Sequence, residues 1–493
     1  MDIIFPCATS IIITLLLLLV SSRLVSNPLK AYPGPLLARL TNGYAGWHSI
    51  KGKVHLITYL NHLKYGPVVS QAPSRLVFNT LTAVQDIYLN PHVVKARIYA
   101  NARLRSAPSV FTALDRADHR RRRRVVGQAI SEHSMRGFEP SMISQIDIFL
   151  LQLLRSSQRE EAVEMISRCK WLAMDVIGLL AFGSAWKTQT EDRLRLLPRA
   201  FAALNPRVYL FMNWPKTHKI DPGVQWLVRE RIKQFRRILA GMIADRMALP
   251  RDAKRDLFSF VASDEKIDRA QQEGIRKSEI WGEAGVFVNA GDDLHCLLLS
   301  LTESNRHAQL ASEVRTTFSS GSEIRHDQQL TGCKYLRAVI DEAMRMSPPT
   351  PGVMWREKDP LSTEPLVVDG HAIPQEYFPE PFIFRLERWL EAVGETPQEK
   401  AARATMRRAF VPFILGDRAC AGKAVEYLDT SLTVAKTMWY FDFGKAPGDA
   451  GELGSGRKGA AGGRGQPDEY QLYDRFMAEH EGPNLMFWPR ENY

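Results

Sequence analysis

The sequence predicts a mostly helical protein with a minor β-sheet, folded as one large domain behind an N-terminal transmembrane helix. Residues 3–20 form an uncharged apolar run, and helical patterns dominate from about 115 to 345. Within them, Trp171 to Phe182 is apolar nearly all round, as in a helix buried in a large domain. Short apolar runs alternate with turn signals between about 60 and 90, which favours a small sheet.

Length and composition limit the class of protein. The chain has 493 residues, 45% of them hydrophobic and 24% charged, and a net charge of +11. These values exclude a wholly disordered chain, and the length suffices to enclose a ligand. The 5 cysteines are odd in number and widely spaced, without a CxxC pair. We therefore expect reduced thiols rather than a disulfide framework.

The apolar run at residues 3–20 is about 18 residues long, close to the shortest helix that spans a bilayer. A cleaved signal peptide is the alternative, but only Met1 and Asp2 precede the run, so it lacks a basic leader. Basic residues first appear after it, at Arg23 and Lys30. The positive-inside rule then predicts a single-pass anchor at 1–22 in the endoplasmic reticulum membrane, with the rest of the chain facing the cytosol.

Composition divides the rest of the chain. Residues 23–40 contain several prolines and are predicted to be a stiff hinge. Residues 41–493 follow as the main domain, and a helical pattern returns at 422–440. Within this domain, glycines and basic residues at about 444–467 are typical of a flexible surface loop.

The most informative motif surrounds Cys420. Residues 413–422 match the pattern F-x-x-G-x-R-x-C-x-G at every specified position, with Phe413, Gly416, Arg418, Cys420 and Gly422. A cysteine just before a helix and close to an arginine is well placed to ionise. Glycines on both sides let the backbone approach a flat ligand. A lone cysteine in a turn is usually structural, but five matched positions favour a binding role.

With this motif the chain resembles the cytochrome P-450 superfamily of haem-thiolate monooxygenases, and the resemblance extends over nearly the whole chain. It implies that Cys420 is the axial ligand of iron in haem b (iron protoporphyrin IX). It also implies that Arg418 pairs with a haem propionate, that Phe413 packs near the sulfur, and that Gly416 and Gly422 shape the haem-binding loop. Arg356 is a further candidate for a propionate. Several segments, such as residues 64–69, are similar to fungal members of secondary metabolism.

The resemblance also assigns a charge cluster. Glu342 and Arg345 form a Glu-x-x-Arg pair on a predicted helix, and Phe384 to Trp389 resembles the family's F-x-P-E-R-W loop with Leu386 in place of proline. An ion pair of this spacing is common on solvated helices and is a weak signal by itself. In the family, Glu342, Arg345 and Arg388 would form a buried structural triad.

A run of five arginines follows His119. A nucleic-acid patch is possible for such a run, and a solvated helix face is the ordinary explanation. The resemblance favours a third interpretation, in which His119 and Arg123 lie on one helix face and meet the haem propionates. The remaining arginines would then face an acidic reductase. We predict no nucleic-acid partner.

Two segments depart from the family pattern. The oxygen-binding helix usually reads A/G-G-x-D/E-T-T, whereas here Asp293 is followed by Leu294 and His295. The expected proton relay then depends on Asp293 acting through water, with or without His295. The segment from 293 to 301 also looks short, as does 374–378, where a strand and turn are missing. A wrong splice junction, a decaying gene or true divergence explains these gaps equally well.

Together these features predict a membrane-anchored monooxygenase that inserts one oxygen atom from O2 into an apolar small molecule. Electrons would come from NADPH through a partner reductase, and the cofactor would supply the difficult chemistry. The substrate pocket should be lined by residues 286–290, 350–355 and 204–214. The alternative is a degenerate or non-catalytic haem-binding relative, which the missing threonine and the short segments favour.

Overall fold

Helices make up most of the structure. The computed structural model describes residues 14, 18, 20–103, 108–227, 229–250, 256–260, 279–288, 304–364, 366–368, 378, 380, 383–460, 465, 471–482 and 484–490. In chain order the α-helices are α1 Leu36–Leu40, α2 Gly43–Ile50, α3 Val54–Tyr65, α4 Leu81–Tyr88, α5 Arg116–Ala129, α6 Glu132–Gln158, α7 Met165–Phe182, α8 Leu196–Asn213, α9 Asp221–Leu227, α10 Arg229–Met247, α11 Ile280–Val288, α12 Ser304–Thr317, α13 Gln328–Gly332, α14 Lys334–Met346, α15 Pro397–Ala409, α16 Lys423–Tyr440 and α17 Asp449–Glu452.

The strands form small antiparallel sheets. They are β1 Val68–Ala72, β2 Arg75–Phe78, β3 Val93–Lys95, β4 Val163–Glu164, β5 Arg356–Lys358, β6 Phe441–Lys445, β7 Tyr473–Arg475, β8 Met477–Glu479 and β9 Asn484–Pro489. Strand β1 pairs with β2, β3 with β5, and β7 with β8, while β9 lies between β4 and β6. In the β3–β5 pair, Lys95 lies opposite Arg356. This register brings together two basic residues that are far apart in the sequence.

The main core lies among α6, α7, α12, α14 and α16, which pack against one another. Phe149, Leu172, Val339 and Leu432 are fully or almost fully buried there. Helix α7 confirms the prediction that Trp171 to Phe182 is a buried helix. It ends at Gly183, whose φ of 64° is the left-handed conformation that commonly terminates a helix. This packed framework fixes α16, and with it the loop that carries Cys420.

The predicted fold class agrees with the structure in its helical majority and minor sheets. The predicted helix at 422–440 is α16, and the predicted small sheet is the β1–β2 hairpin. Most of the predicted anchor at 1–22 falls outside the described residues, among which no helix is long and apolar enough to cross a membrane. The segment predicted as a flexible loop at about 444–467 contains regular structure at its start. Gly444 and Lys445 are the last two residues of β6, and α17 follows.

Candidate active site

A cavity of about 1430 Å³ lies between the small sheets and the main helices. Its walls include β2, the end of β3, α4, α8, α11, the segment 348–356, the loop around Cys420 and the turn at Phe476 and Met477. The predicted pocket segments contribute Leu204, Val286 and Thr350, among others. Trp214 does not line it and instead packs on Gly46 of α2. The lining is mainly apolar, as is usual for a small-molecule site.

The loop at 413–422 presents the Cys420 side chain to this cavity. The Cys420 amide donates a hydrogen bond to the Phe413 carbonyl at 2.8 Å, which closes the loop. Gly416 has a φ of +77°, and a Cβ atom there would lie 2.2 Å from the Tyr88 carbonyl oxygen, so only glycine fits. The Cys420 side chain is exposed and lies just before α16, whose N-terminus favours a thiolate.

Gly422 leaves room on the same side of the loop. A Cβ atom at this position would meet only the Cys420 sulfur within 4 Å, at 3.9 Å. Phe413 packs against the ring of Tyr427, with centroids 5.5 Å apart, and also lines the cavity. Phe413, Cys420 and Gly422 therefore border one open space, which a flat ligand can approach closely.

Three basic side chains meet at the cavity beside this loop. Arg418 donates to the carbonyls of Ala113 and Leu114 at 2.6 and 3.0 Å. Burial, together with the neighbouring cation Arg356, lowers the pKa of Arg418 to about 10. Arg356 donates to the carbonyls of Met354 and Trp355 just before β5, and its guanidinium lies 4.8 Å from the Tyr88 ring centroid. Both residues were predicted from the sequence.

Lys95 is the third member of this group and was not predicted. Only 7% of its surface is exposed, and its ammonium lies 4.3 and 4.1 Å from the ring centroids of Tyr99 and Phe111. Burial, Arg356 and Arg418 lower its pKa well below the ordinary lysine value. We call Lys95, Arg356 and Arg418 the cavity cations. Their mutual repulsion favours an anionic ligand between them.

Helix α5 divides the arginine run among three environments. Arg123 donates to the carbonyls of Ala419 and Cys420, so it reaches the cysteine loop. His119 is 5% exposed, and burial with the nearby cations Arg418 and Lys95 lowers its pKa to about 3. It is therefore a neutral imidazole near the cavity cations.

The expectation that the other arginines face a reductase is wrong for Arg121 and Arg122. They pair with Glu279 and Glu283 at 2.8 Å in both cases, and Arg122 is fully buried. Burial of these guanidinium groups is tolerated because carboxylates from the start of α11 neutralise them. Arg120 and Arg124 remain exposed. The run is therefore not a continuous basic surface for nucleic acid.

The predicted charge triad is present at the end of α14. Glu342 is fully buried and accepts hydrogen bonds from Arg345 at 2.8 Å and Arg388 at 3.1 Å. Trp389 and the Arg385 amide complete its shell at 2.9 and 2.7 Å. Burial opposes ionisation of Glu342, but these donors outweigh it and hold its pKa below the ordinary value.

Asp293 lies outside the described residues, as do Leu294, His295 and the segment 374–377. Among the residues that the structure does describe, no group of three or more His, Cys, Asp or Glu side chains could hold a metal ion. The arrangement around Cys420 instead suits a flat ligand that bears negative groups. One sulfur would contact its centre, and the cavity cations would contact its edge.

Comparisons with known proteins agree with this geometry. The sequence model of the cytochrome P-450 family matches residues 33–455. The cytochrome P-450 monooxygenase poxM of Penicillium oxalicum is 31% identical over 95% of this chain and 92% of its own length. The cytochrome P-450 monooxygenase atnE of Emericella nidulans is also 31% identical, over 95% of this chain and 93% of its own length.

Proposed function

The chain belongs to the cytochrome P-450 family, and from this premise we propose that it oxidises an apolar small molecule of fungal secondary metabolism, with Cys420 as the thiolate ligand of haem b. Membership makes it a monooxygenase that uses haem, O2 and electrons from a redox partner. The substrate class, the reductase and the individual residue roles are parts of the proposal.

The observation that carries the proposal is the excess of positive charge beside an exposed cysteine. The cavity cations lie close enough to repel one another. Burial and this repulsion together lower the pKa of Lys95 and of Arg418. A buried cation is costly unless an anion compensates it. Haem b carries two propionates on one edge, which would supply that compensation. The space beside Gly422 leaves the sulfur accessible to the flat face of the ring.

Each residue then has a distinct task. Cys420 would hold the iron through its sulfur, and Arg418, Arg356 and Lys95 would hold the propionates, with neutral His119 beside them. Arg123 reaches the Cys420 loop from α5 and favours the ionised sulfur there. Gly416 allows the loop to turn beneath Tyr88, and Phe413 would pack near the sulfur and tune its potential.

Haem supplies the activation of O2 when it is bound. The chain supplies an apolar space that excludes water from the reacting group, with Leu204, Val286 and Val353 on its walls. Asp293 is proposed to deliver protons through water, because the usual threonine is replaced by Leu294.

Electrons are proposed to come from NADPH through a reductase. The exposed Arg120 and Arg124 lie on α5, which also carries Arg123 to the cysteine loop, so they suit an acidic docking surface. The apolar run at residues 3–20 supports an anchor in the endoplasmic reticulum membrane with the remainder of the chain in the cytosol.

The absorption spectrum of the reduced carbon monoxide complex tests the proposal. We expect a Soret band shifted to the red in the wild-type protein, no such band in Cys420→Ala, and an unchanged band in Cys333→Ala. Cys333 is a matched control because it is buried away from the cavity and donates to the Gln329 carbonyl. A haem-loaded wild-type protein without the shifted band contradicts the proposal.

A haem-binding relative without turnover is the second candidate, favoured by Leu294 and His295 at the two threonine positions. The coupling of NADPH consumption to product formation separates the two candidates. A monooxygenase consumes NADPH in a substrate-dependent way and forms an equal amount of oxygenated product in the presence of reductase. A protein that shows the shifted Soret band, yet yields no product with any member of a broad panel of apolar compounds, supports the second candidate.

A further inference from the structure

We propose that the substrate carries a carboxylate and that Arg75 binds it inside the cavity. This inference rests on the proposed function and narrows its substrate class from an apolar molecule to an apolar carboxylic acid. Arg75 lies at the start of β2, lines the cavity together with Leu76 and Val77, and was not singled out by its sequence context.

Two contacts hold the Arg75 guanidinium at the cavity wall. Its Nη1 donates to the Met212 carbonyl at 2.8 Å, and its central carbon lies 5.0 Å from the Trp355 ring centroid. A guanidinium has five N–H donors in a planar fork, so these contacts leave donors for another acceptor. The side chain is thus fixed in position with unused binding capacity.

The charge balance of the cavity indicates what that acceptor is. Among the described residues that line it, five carry basic groups (Arg75, Lys95, Arg103, Arg356 and Arg418), and Glu426 alone carries an acid. Glu426 accepts a hydrogen bond from Thr430 at 3.1 Å. Haem propionates would neutralise two positive charges, which still leaves the described lining cationic.

Arg75 is separate from the cavity cations. The pKa of Lys95 is depressed by Arg356 and Arg418, whereas the pKa of Arg75 falls to about 10 through burial alone. No ion pair joins Arg75 to a carboxylate of the described part of the chain. Its charge is therefore available for a group other than the propionates.

The surroundings of Arg75 determine the rest of the ligand. Leu76, Val77, Val208 and Val353 line the same cavity and offer only apolar surface. A molecule with a hydrocarbon body and one carboxylate matches this surface. A bidentate arginine–carboxylate pair in such surroundings is strong because water screens it weakly.

A purely structural role for Arg75 is the rival explanation. Met212 lies in the last turn of α8, where carbonyl groups carry partial negative charge, so Arg75 also fastens β2 to that helix end. The two roles differ in what the loss of Arg75 does. If Arg75 is purely structural, its loss should weaken the binding of all ligands alike. If it binds the substrate, its loss should weaken the binding of carboxylates only.

Paired probes distinguish these roles. Calorimetry on the haem-loaded full chain would compare dodecanoate with dodecanol, and phenylbutanoate with phenylbutanol. We expect the carboxylate of at least one pair to bind about tenfold more tightly than its alcohol, the effect of one charge-assisted contact. Arg75→Gln should remove this preference and change alcohol binding by less than about twofold.

Arg195→Gln is a matched control. Arg195 also lies over a tryptophan, 3.7 Å from the Trp171 ring centroid, and donates to the Thr188 carbonyl at 2.7 Å, but it does not line the cavity. It should keep the wild-type preference for carboxylates. If Arg75→Gln does not fold, Arg75→Lys replaces it and should retain part of the preference, because it keeps the charge but loses the fork.

The inference is overturned if the wild-type protein prefers the carboxylate in neither pair, including the case in which no probe binds. It is equally overturned if the Arg75 variant weakens both members of a pair to the same degree. Failure of the proposed function has a different signature. It is the absence of the shifted Soret band, which is read from the spectrum and does not depend on any probe.

Discussion

Two groups of charges, one around the buried Glu342 and one around the buried Lys95, differ in how they are balanced. At the end of α14, the carboxylate of Glu342 has two arginines, an indole N–H and a backbone amide around it, all from the chain itself. At the cavity, Lys95, Arg356 and Arg418 lie together and donate hydrogen bonds to carbonyl oxygens, and Arg356 also to the Tyr99 side chain. The first group is balanced by the chain itself, whereas we propose that a bound anion balances the second. This difference separates structural charges from charges that bind.

Loss of Glu342 should have the largest effect. Glu342→Gln leaves Arg345 and Arg388 largely buried without their counter-charge, and we expect the free energy of unfolding to fall by about 3–5 kcal/mol. Urea unfolding of the haem-loaded protein measures this change. The control is Glu391→Gln, at an exposed residue that pairs with Arg403 at 3.3 Å, where we expect less than about 1 kcal/mol. Equal losses in the two variants would remove the distinction on which the comparison rests.

Lys95 and Lys436 should respond in opposite ways, although both are almost completely buried. Lys95→Met removes a desolvated and repelled cation, so the haem-free protein should lose no stability, whereas haem should transfer to apomyoglobin about tenfold faster. Lys436 pairs with Asp147 at 3.0 Å and also donates to the Gly321 carbonyl. Lys436→Met should lower the free energy of unfolding by about 1–2 kcal/mol without changing haem transfer.

The two lysine variants contradict the account if their effects are exchanged. A marked loss of stability in haem-free Lys95→Met would mean that Lys95 is balanced within the chain. Faster haem transfer from Lys436→Met would mean that burial alone, rather than an unmatched charge, governs haem retention.

Asp474 is a buried acid to which the same comparison of charge balance applies. It is fully buried, accepts a hydrogen bond from Tyr209 at 2.8 Å and another from the His55 amide at 3.2 Å, and the His55 ring lies 3.9 Å away. Burial raises its pKa from 3.8 to about 7. A folded-state pKa above the unfolded value gives a contribution to stability that is full below about pH 4 and is lost as the pH rises through about 7.

Asp474→Asn should therefore flatten the fall in stability between about pH 4 and pH 7, which reaches about 1.4 kcal/mol per pH unit for one such group. Urea unfolding at several pH values measures the slope. The exposed Asp449→Asn in α17 should keep the wild-type slope. A wild-type slope in Asp474→Asn would show that Asp474 is ionised in the folded protein throughout this range.

Local motifs explain why the Cys420 loop and the Glu342 triad were predictable. The positions of Phe413, Gly416 and Arg418 relative to Cys420 follow from the sequence, because a short loop closed by one backbone hydrogen bond has few alternatives. The family resemblance likewise predicted that His119 and Arg123 lie on one helix face, which their spacing of four residues allows on α5. The cysteine loop joins residues that are close in the chain, whereas Arg388 lies 46 positions from Glu342 and was assigned to the triad through the family resemblance.

The roles of Lys95 and Arg75 depend on contacts that the sequence pattern does not contain. Lys95 joins the cavity cations only because β3 pairs with β5, which brings residue 356 opposite it. Arg75 reaches the cavity beside Trp355 and Met212, which are distant in the sequence. The arginine run was misjudged for the same reason, since Glu279 and Glu283, which pair with Arg121 and Arg122, lie far away in the sequence at the start of α11.

The bond between iron and the Cys420 sulfur is the centre of the account, and X-ray absorption at the iron K-edge tests it most directly. In the haem-loaded protein we predict one sulfur at bonding distance together with the four porphyrin nitrogens. In Cys420→His, the same spectrum should contain only nitrogen or oxygen neighbours. A wild-type spectrum without sulfur, or a sulfur signal that survives replacement of Cys420, would contradict the account.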